Sequence, residues 1–233
     1  MPQRIWYLFL SAGVFILFFC FSFLVHKNLL TQADFDTTVR LQDNISRRWD
    51  LFFSYFSVLG SFEITSLLVL AIVFFRRKLD GMFVLFGFGV LLVTELFGKI
   101  VIDHMGPPTL FARYKQLVDF PTNYIPHPTN AYPSGHSGRT IFIAVLLIVF
   151  ILTNAKIPPL VKFGLVSVIS IYTALMLVSR VYLGEHWISD VIGGTLLGIS
   201  LSLGTLFFLK VKQGKTSLPA RFAESRRAGK AHR

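Results

Sequence analysis

Residues 160–209 read LVKFGLVSVISIYTALMLVSRVYLGEHWISDVIGGTLLGISLSLGTLFFL. Two long apolar runs, 160–182 and 187–209, meet at a short polar junction. About 20 apolar residues in a helix match the roughly 30 Å hydrocarbon core of a bilayer. The apolar residues form runs rather than alternating stripes, which favours membrane spans over a soluble core. The stretch therefore reads as two spanning helices joined at one membrane face.

The pattern recurs toward the N-terminus, in runs at 5–25, 51–75, 81–102 and 140–152. The run at 140–152 is short for a span unless it begins near His136. The run at 51–75 stops at Arg76, Arg77 and Lys78. The first run is too long for the apolar part of a signal peptide, and no small-residue cleavage pattern follows it, so it reads as an uncleaved span. The expectation is an all-α polytopic membrane protein, a six-transmembrane-helix bundle. It would fill residues 1–209, with its core at 51–209, and a basic tail would follow at 210–233.

Composition agrees. Hydrophobic residues make up 53% of the 233 and charged ones 15%, where a soluble domain carries about 25% charged. The formal net charge of +11 would suit nucleic acid, but the basic residues sit between and after the apolar runs. A membrane reading explains them better, and no nucleic-acid partner is expected. The single cysteine, Cys20, lies inside the first run. It reads as apolar filler, because one cysteine forms no internal disulfide.

Lysine and arginine in short loops set orientation. One side would hold Arg4, Arg76, Arg77, Lys78, Lys156, Lys162 and the tail. The other would hold Asp34, Asp36, Asp43, Asp50, Asp103, Asp119, Glu185 and Asp190. Both termini are thus expected in the cytoplasm of a multi-pass cell-membrane protein. The tail reads as a stop-transfer flank or a binder of anionic headgroups. Residues 33–49 read as an interfacial helix or as a plain loop. Residues 106–132 are proline-rich and too interrupted for a long helix. They are expected to form an outer loop over a site. Gly194 and Gly198 form a G-x-x-x-G, read as packing within one chain rather than a dimer face.

Polar residues gather at the outer ends of spans three to six, where charge at membrane depth is costly and usually paired or functional. Gly184 permits a turn after the fifth span. His186 and Asp190 are four apart at the start of the sixth, on one helical face. A carboxylate beside an imidazole fixes its tautomer and readies the other nitrogen as nucleophile or base. Arg180, at the end of the fifth span, can grip phosphate oxygens with two prongs. In Tyr132-Pro133-Ser134-Gly135-His136, Ser134 can cap the fourth helix. Gly135 lets a phosphate approach the positive start of that helix, and His136 sits where it can protonate a leaving oxygen. Lys99 has Glu95 four before it and Asp103 four after. That is either an ion-paired ladder or an ammonium aimed at phosphate. No carboxylate cluster with metal-ligand spacing stands among these residues. The set suits phosphoryl transfer through a phosphohistidine.

At these residues the chain resembles the type 2 phosphatidic acid phosphatase family, which shares its site with vanadium haloperoxidases. That family carries K-x6-R-P, P-S-G-H and S-R-x5-H-x3-D. Here Pro133 to His136 match the second motif, and Ser179, Arg180, His186 and Asp190 match the third. In the first, Lys99 and Pro107 fall in place, but Gly106 stands where the arginine would be. The resemblance implies His186 as nucleophile, Asp190 as its orienting partner and His136 as general acid. Lys99, Ser134, Gly135 and Arg180 would bind phosphate, and the resemblance implies no metal or cofactor. The implied substrate is a phosphorylated membrane lipid, such as a polyprenyl diphosphate, phosphatidylglycerol phosphate or phosphatidic acid. Gly106 removes one charged hydrogen bond, worth about 1.5–3 kcal/mol. Arg139, three after His136 on the same helical face, is the candidate replacement, with Arg113 and Lys115 as others. Two alternatives stay open. One is a lipid phosphotransferase of the same fold, and the other is a non-catalytic lipid-phosphate binder on account of Gly106.

Overall fold

The computed structural model describes residues 4–76, 78–115, 117–118, 120–121 and 130–209. The tail at 210–233, Arg77, Asp119 and the prolines at 126 and 128 lie outside them. Among the described residues the chain is helical. The helices are α1 Arg4–His26, α2 Thr31–Asn44, α3 Asp50–Val58, α4 Phe62–Phe75, α5 Lys78–Val101, α6 Gly135–Thr153, α7 Pro159–Tyr182 and α8 Ile188–Phe208. Five of them are long and apolar enough to cross a membrane. The pair α3 and α4 makes a sixth span if it counts as one, bent by 43°.

That bend corrects the expectation of one continuous helix over 51–75. The break falls at Leu59, Gly60 and Ser61. A Cβ at position 60 would press on the His136 ring and the Met176 sulfur, so glycine lets the backbone pass close to both. Ser61 restarts the helix as its cap, accepting the Ile64 N–H at 3.4 Å. The first free N–H groups of a helix need such a partner.

The fourth span starts at Gly135, so it takes the longer of the two forms expected. Its first turn is polar yet buried, with Ser137, Arg139 and Thr140 all shielded. Residues 33–49, left open between helix and loop, form α2 and a short 3-10 turn at Arg47–Trp49. Helix α2 packs on α7 and α8. Asp34 and Thr38 face inward from it, and Gln42 donates to the carbonyls of Phe111 and Tyr182 at 2.8 and 2.9 Å.

Helices α6 and α8 lie close together because their facing residues are small. A Cβ on Gly194 would fall on the Ser134 carbonyl, and one on Gly198 on the Gly138 carbonyl. The G-x-x-x-G thus packs within the chain, where small residues let helix backbones approach in lipid. Helix α1 covers the other side of α8. There Ser11 donates to the Ser200 carbonyl at 2.8 Å, and Ser200 returns the bond at 3.2 Å. A core of Val69, Val84, Phe88, Leu91, Phe142, Leu146 and Leu206 fills the end far from the polar junction. At that end the Arg76 guanidinium lies 3.7 Å over the Phe150 ring, and Lys162 donates to the Leu152 carbonyl at 2.8 Å.

Candidate active site

At the opposite end of the bundle, α3, α4, α5, α6 and the α7–α8 junction enclose a cavity of about 640 Å³. Lys99, Gly135, His136, Arg139, Arg180 and His186 all line it. Residues separated by up to 87 positions therefore face one space, as the motif order implied. Tyr114, Val118 and Phe120 line it too, so the described part of the proline-rich loop does lie against the site.

The α7–α8 junction explains how His186 is presented. Gly184 has φ +70°, and a Cβ there would collide with the Phe111 carbonyl. Only glycine adopts that conformation cheaply. The turn brings the N–H groups of Glu185 and His186 onto the Arg180 carbonyl, each at 3.2 Å. The expectation that His186 and Asp190 share a helical face needs correction. Helix α8 begins at Ile188, so His186 precedes it. Asp190 reaches back as a helix-start carboxylate, accepting from the Trp187 N–H at 3.0 Å and meeting His186 Nδ1 at 3.3 Å with the same oxygen. Capping geometry makes the pair, with the second half of a capping box. Burial lowers the His186 pKa below the ordinary histidine value, and the Asp190 bond offsets part of that.

The cations are each held by an acid or hydroxyl. Arg180 is 2% exposed. Its two terminal nitrogens contact Ser57 and Glu185, while its Nε has no hydrogen-bond partner. Arg139 donates to Glu95 at 2.8 Å, and Lys99 lies 3.9 Å from the other Glu95 oxygen. Glu95 sits against Gly135, so closely that a Cβ there would overlap its carboxylate. In this arrangement Glu95 occupies an anion position between two cations and the start of α6. Asp103, the other acid near Lys99, lines a different pocket.

Of the three candidates for the missing arginine, only Arg139 reaches the cavity. Arg113 spends its nitrogens on the carbonyls of Ile45 and Gln42 at 3.0 and 2.7 Å, beside the Tyr182 ring. Lys115 is exposed and is absent from the lining. Ser134 also stays out of the lining. It is buried beneath the site, its hydroxyl 3.0 Å from that of Ser137 and its N–H donating to the Asp190 carbonyl at 3.0 Å.

Two residues at this centre escaped the reading of the sequence. His104, in the turn after α5, places Nδ1 2.9 Å from Asp190 Oδ1 and Nε2 3.6 Å from Asp34. Asp34 in turn accepts the N–H and hydroxyl of Ser189, both at 2.8 Å. Asp34, His104 and Asp190 are 70 and 86 residues apart. No local spacing could have joined them.

A membrane bundle with two imidazoles, three cations and a helix start around one cavity defines a class. The PAP2 superfamily model matches residues 80–213, and the chain belongs to that superfamily. The chain is 28% identical over 142 residues to phosphatidylglycerophosphatase B of Bacillus subtilis. That match spans 60% of this chain and 60% of the relative's length. In fold it is similar to the crystal structure of the first transmembrane PAP2 type phosphatidylglycerolphosphate phosphatase from the same organism. The TM-score is 0.67 at 24% identity, over 84% of this chain and 93% of that one.

Proposed function

We propose that this protein is a membrane lipid phosphatase that cleaves phosphate from a lipid phosphate or diphosphate. The observation that carries the reading is the shared cavity: His136 and His186 face it together with Lys99, Arg139 and Arg180. Its likeness to phosphatidylglycerophosphatase B makes phosphatidylglycerol phosphate the first substrate to test.

In this mechanism the substrate phosphate takes the place Glu95 occupies, between Lys99, Arg139 and the N–H groups at the start of α6. Charged donors and helix-start N–H groups both favour such an anion. Arg180 grips a further oxygen. His186, neutral because burial lowers its pKa, attacks phosphorus through Nε2 while Asp190 holds its Nδ1–H. The P–O bond to the lipid breaks, and His136 gives its proton to the departing oxygen. Water then attacks the phosphohistidine and hands a proton back to His136, releasing phosphate and restoring His186. Arg139 does for this chain what the arginine at position 106 does for the motif. Lysine and arginine at the opposite end of the bundle support a pocket that faces outward.

The test is phosphate release from a panel of lipid phosphates in detergent, with His186→Ala as the control. The expected result is release by the wild type alone. Equal release by both proteins on every lipid would reject the reading, and label appearing on an acceptor lipid instead of free phosphate would make the protein a phosphotransferase.

A further inference from the structure

Asp190 joins a histidine of one pocket to a histidine of another. On one side its Oδ2 meets His186, which lines the cationic cavity. On the other its Oδ1 meets His104, which lines a second pocket of about 480 Å³ with Asp34, Asp103 and Trp187. Asp190 itself is fully buried, and His104 is 7% exposed.

We infer that His104 is a positioning residue: clamped between Asp34 and Asp190, it acts on His186 through the carboxylate they share. The inference rests on the phosphatase reading for its role in turnover, but not for its geometry.

Both partners of the His104 ring are carboxylates. Asp190 takes a hydrogen bond from Nδ1 at 2.9 Å, and the Asp34 carboxylate, 3.6 Å from Nε2, adds a second negative charge beside the ring, so the pair favours imidazolium. The groups facing it are Asp34 from α2, Asp190 from α8, the edge-on Tyr132 ring from the loop before α6, and Asp103, which lines the same pocket beside it. His186 lies across Asp190 from it. Burial disfavours charge on His104, but the bonds to Asp190 and Asp34 outweigh it and raise the pKa to about 9. The ring is therefore charged at neutral pH.

A cation on Oδ1 changes what Oδ2 does. A bare, buried aspartate would hold a proton on His186 and blunt it as a nucleophile. With His104 neutralising part of its charge, Asp190 still orients Nδ1–H but favours imidazolium on His186 less. His104 thus keeps His186 ready to attack. The backbone supports this placement: the Ala131 N–H donates to the His104 carbonyl at 2.9 Å. The hydroxyl and N–H of Ser189 fix Asp34.

The experiment is ring-carbon NMR of histidine-labelled full-length protein in detergent, titrated from acid to alkaline pH, with assays of lipid phosphate hydrolysis alongside. His104→Asn keeps a donor near the Nδ1 position and removes the charge. The expected result is that the His186 titration in that variant moves upward by about one pH unit, the size of a lost neighbouring charge. The acid limb of kcat/KM moves with it, and kcat near pH 6 falls about tenfold with KM changed less than about twofold. Asp34→Asn is expected to move His186 in the same direction by less. An unmoved His186 titration in the folded His104→Asn protein would overturn the inference, even if stability falls, because a purely structural residue predicts that pattern. The NMR result stands without turnover. Absence of hydrolysis by the wild type would sink the phosphatase reading and leave this test intact.

Discussion

Helices α6 and α8 bury 56% and 50% of their apolar windows inside the protein, whereas α1 and α7 bury 17% and 11%. All four are apolar enough to cross a membrane. In lipid, then, apolarity does not select which helix lies inside. Lipid tails solvate leucine as well as a neighbouring helix does, so close packing of small residues and polar bonds decides. The inner pair is lined by Gly138, Ser137, Gly194, Gly198, Ser200 and Ser202, all on buried faces. The outer pair turns Phe9, Ile16, Phe19, Phe163 and Val168 outward. The candidate site draws on both kinds of helix, since Arg180 ends α7 and Lys99 belongs to α5. His136 and Arg139 belong to α6, and Asp190 opens α8.

Four substitutions break or sharpen that contrast. His186→Ala, which removes the nitrogen proposed to attack, is expected to lower phosphate release by about 10³-fold or more. Retention of more than a tenth of wild-type turnover would remove His186 from the attacking role proposed for it. Gly194→Leu is expected to abolish monodisperse folded protein on size exclusion, because its side chain meets the Ser134 carbonyl and Ser137. A folded, active Gly194→Leu protein would show that α6 and α8 need no close approach. Arg139→Ala is expected to cost about 10- to 100-fold in kcat/KM, the worth of one charged hydrogen bond. Wild-type turnover in that variant would remove Arg139 from the role proposed for it. Gly164→Ala on α7 is the smallest. A Cβ there meets nothing within 4 Å, so the thermal midpoint should hold or rise slightly from the helix propensity gained, about 0.5–1 kcal/mol. A marked loss there would mean that α7 has a partner outside this chain.

The sequence was most legible where information is local. Long apolar runs announce spans, and the Pro133–His136 and Ser179–Asp190 stretches are complete within a few residues of chain. The break at Gly60 was hidden because Leu59-Gly60-Ser61 sits inside a run whose mean apolarity still reads as one span. Its cause is a contact with His136 and Met176, 76 and 116 residues away. Helix α2 was left undecided because its inward residues are Asp34 and Thr38, which no apolar pattern would flag. The Glu95–Arg139 pair and the His104 clamp were invisible for the same reason, since each joins elements far apart in the chain. The helix-start role of Asp190 was hidden too, because the residue three before it is Trp187, not the Ser or Thr of a capping box.

The break between α3 and α4 also sets where the cavity lies along a span. Helix α4 has 14 residues, which at about 1.5 Å each span roughly 21 Å. It runs from its cap Ser61, which lines the cavity, to Arg76 at its other end. That is short of the roughly 30 Å hydrocarbon thickness. Helix α4 alone is therefore too short to cross, and it completes a span only together with α3, so the bend between them leaves the cavity partway along that span.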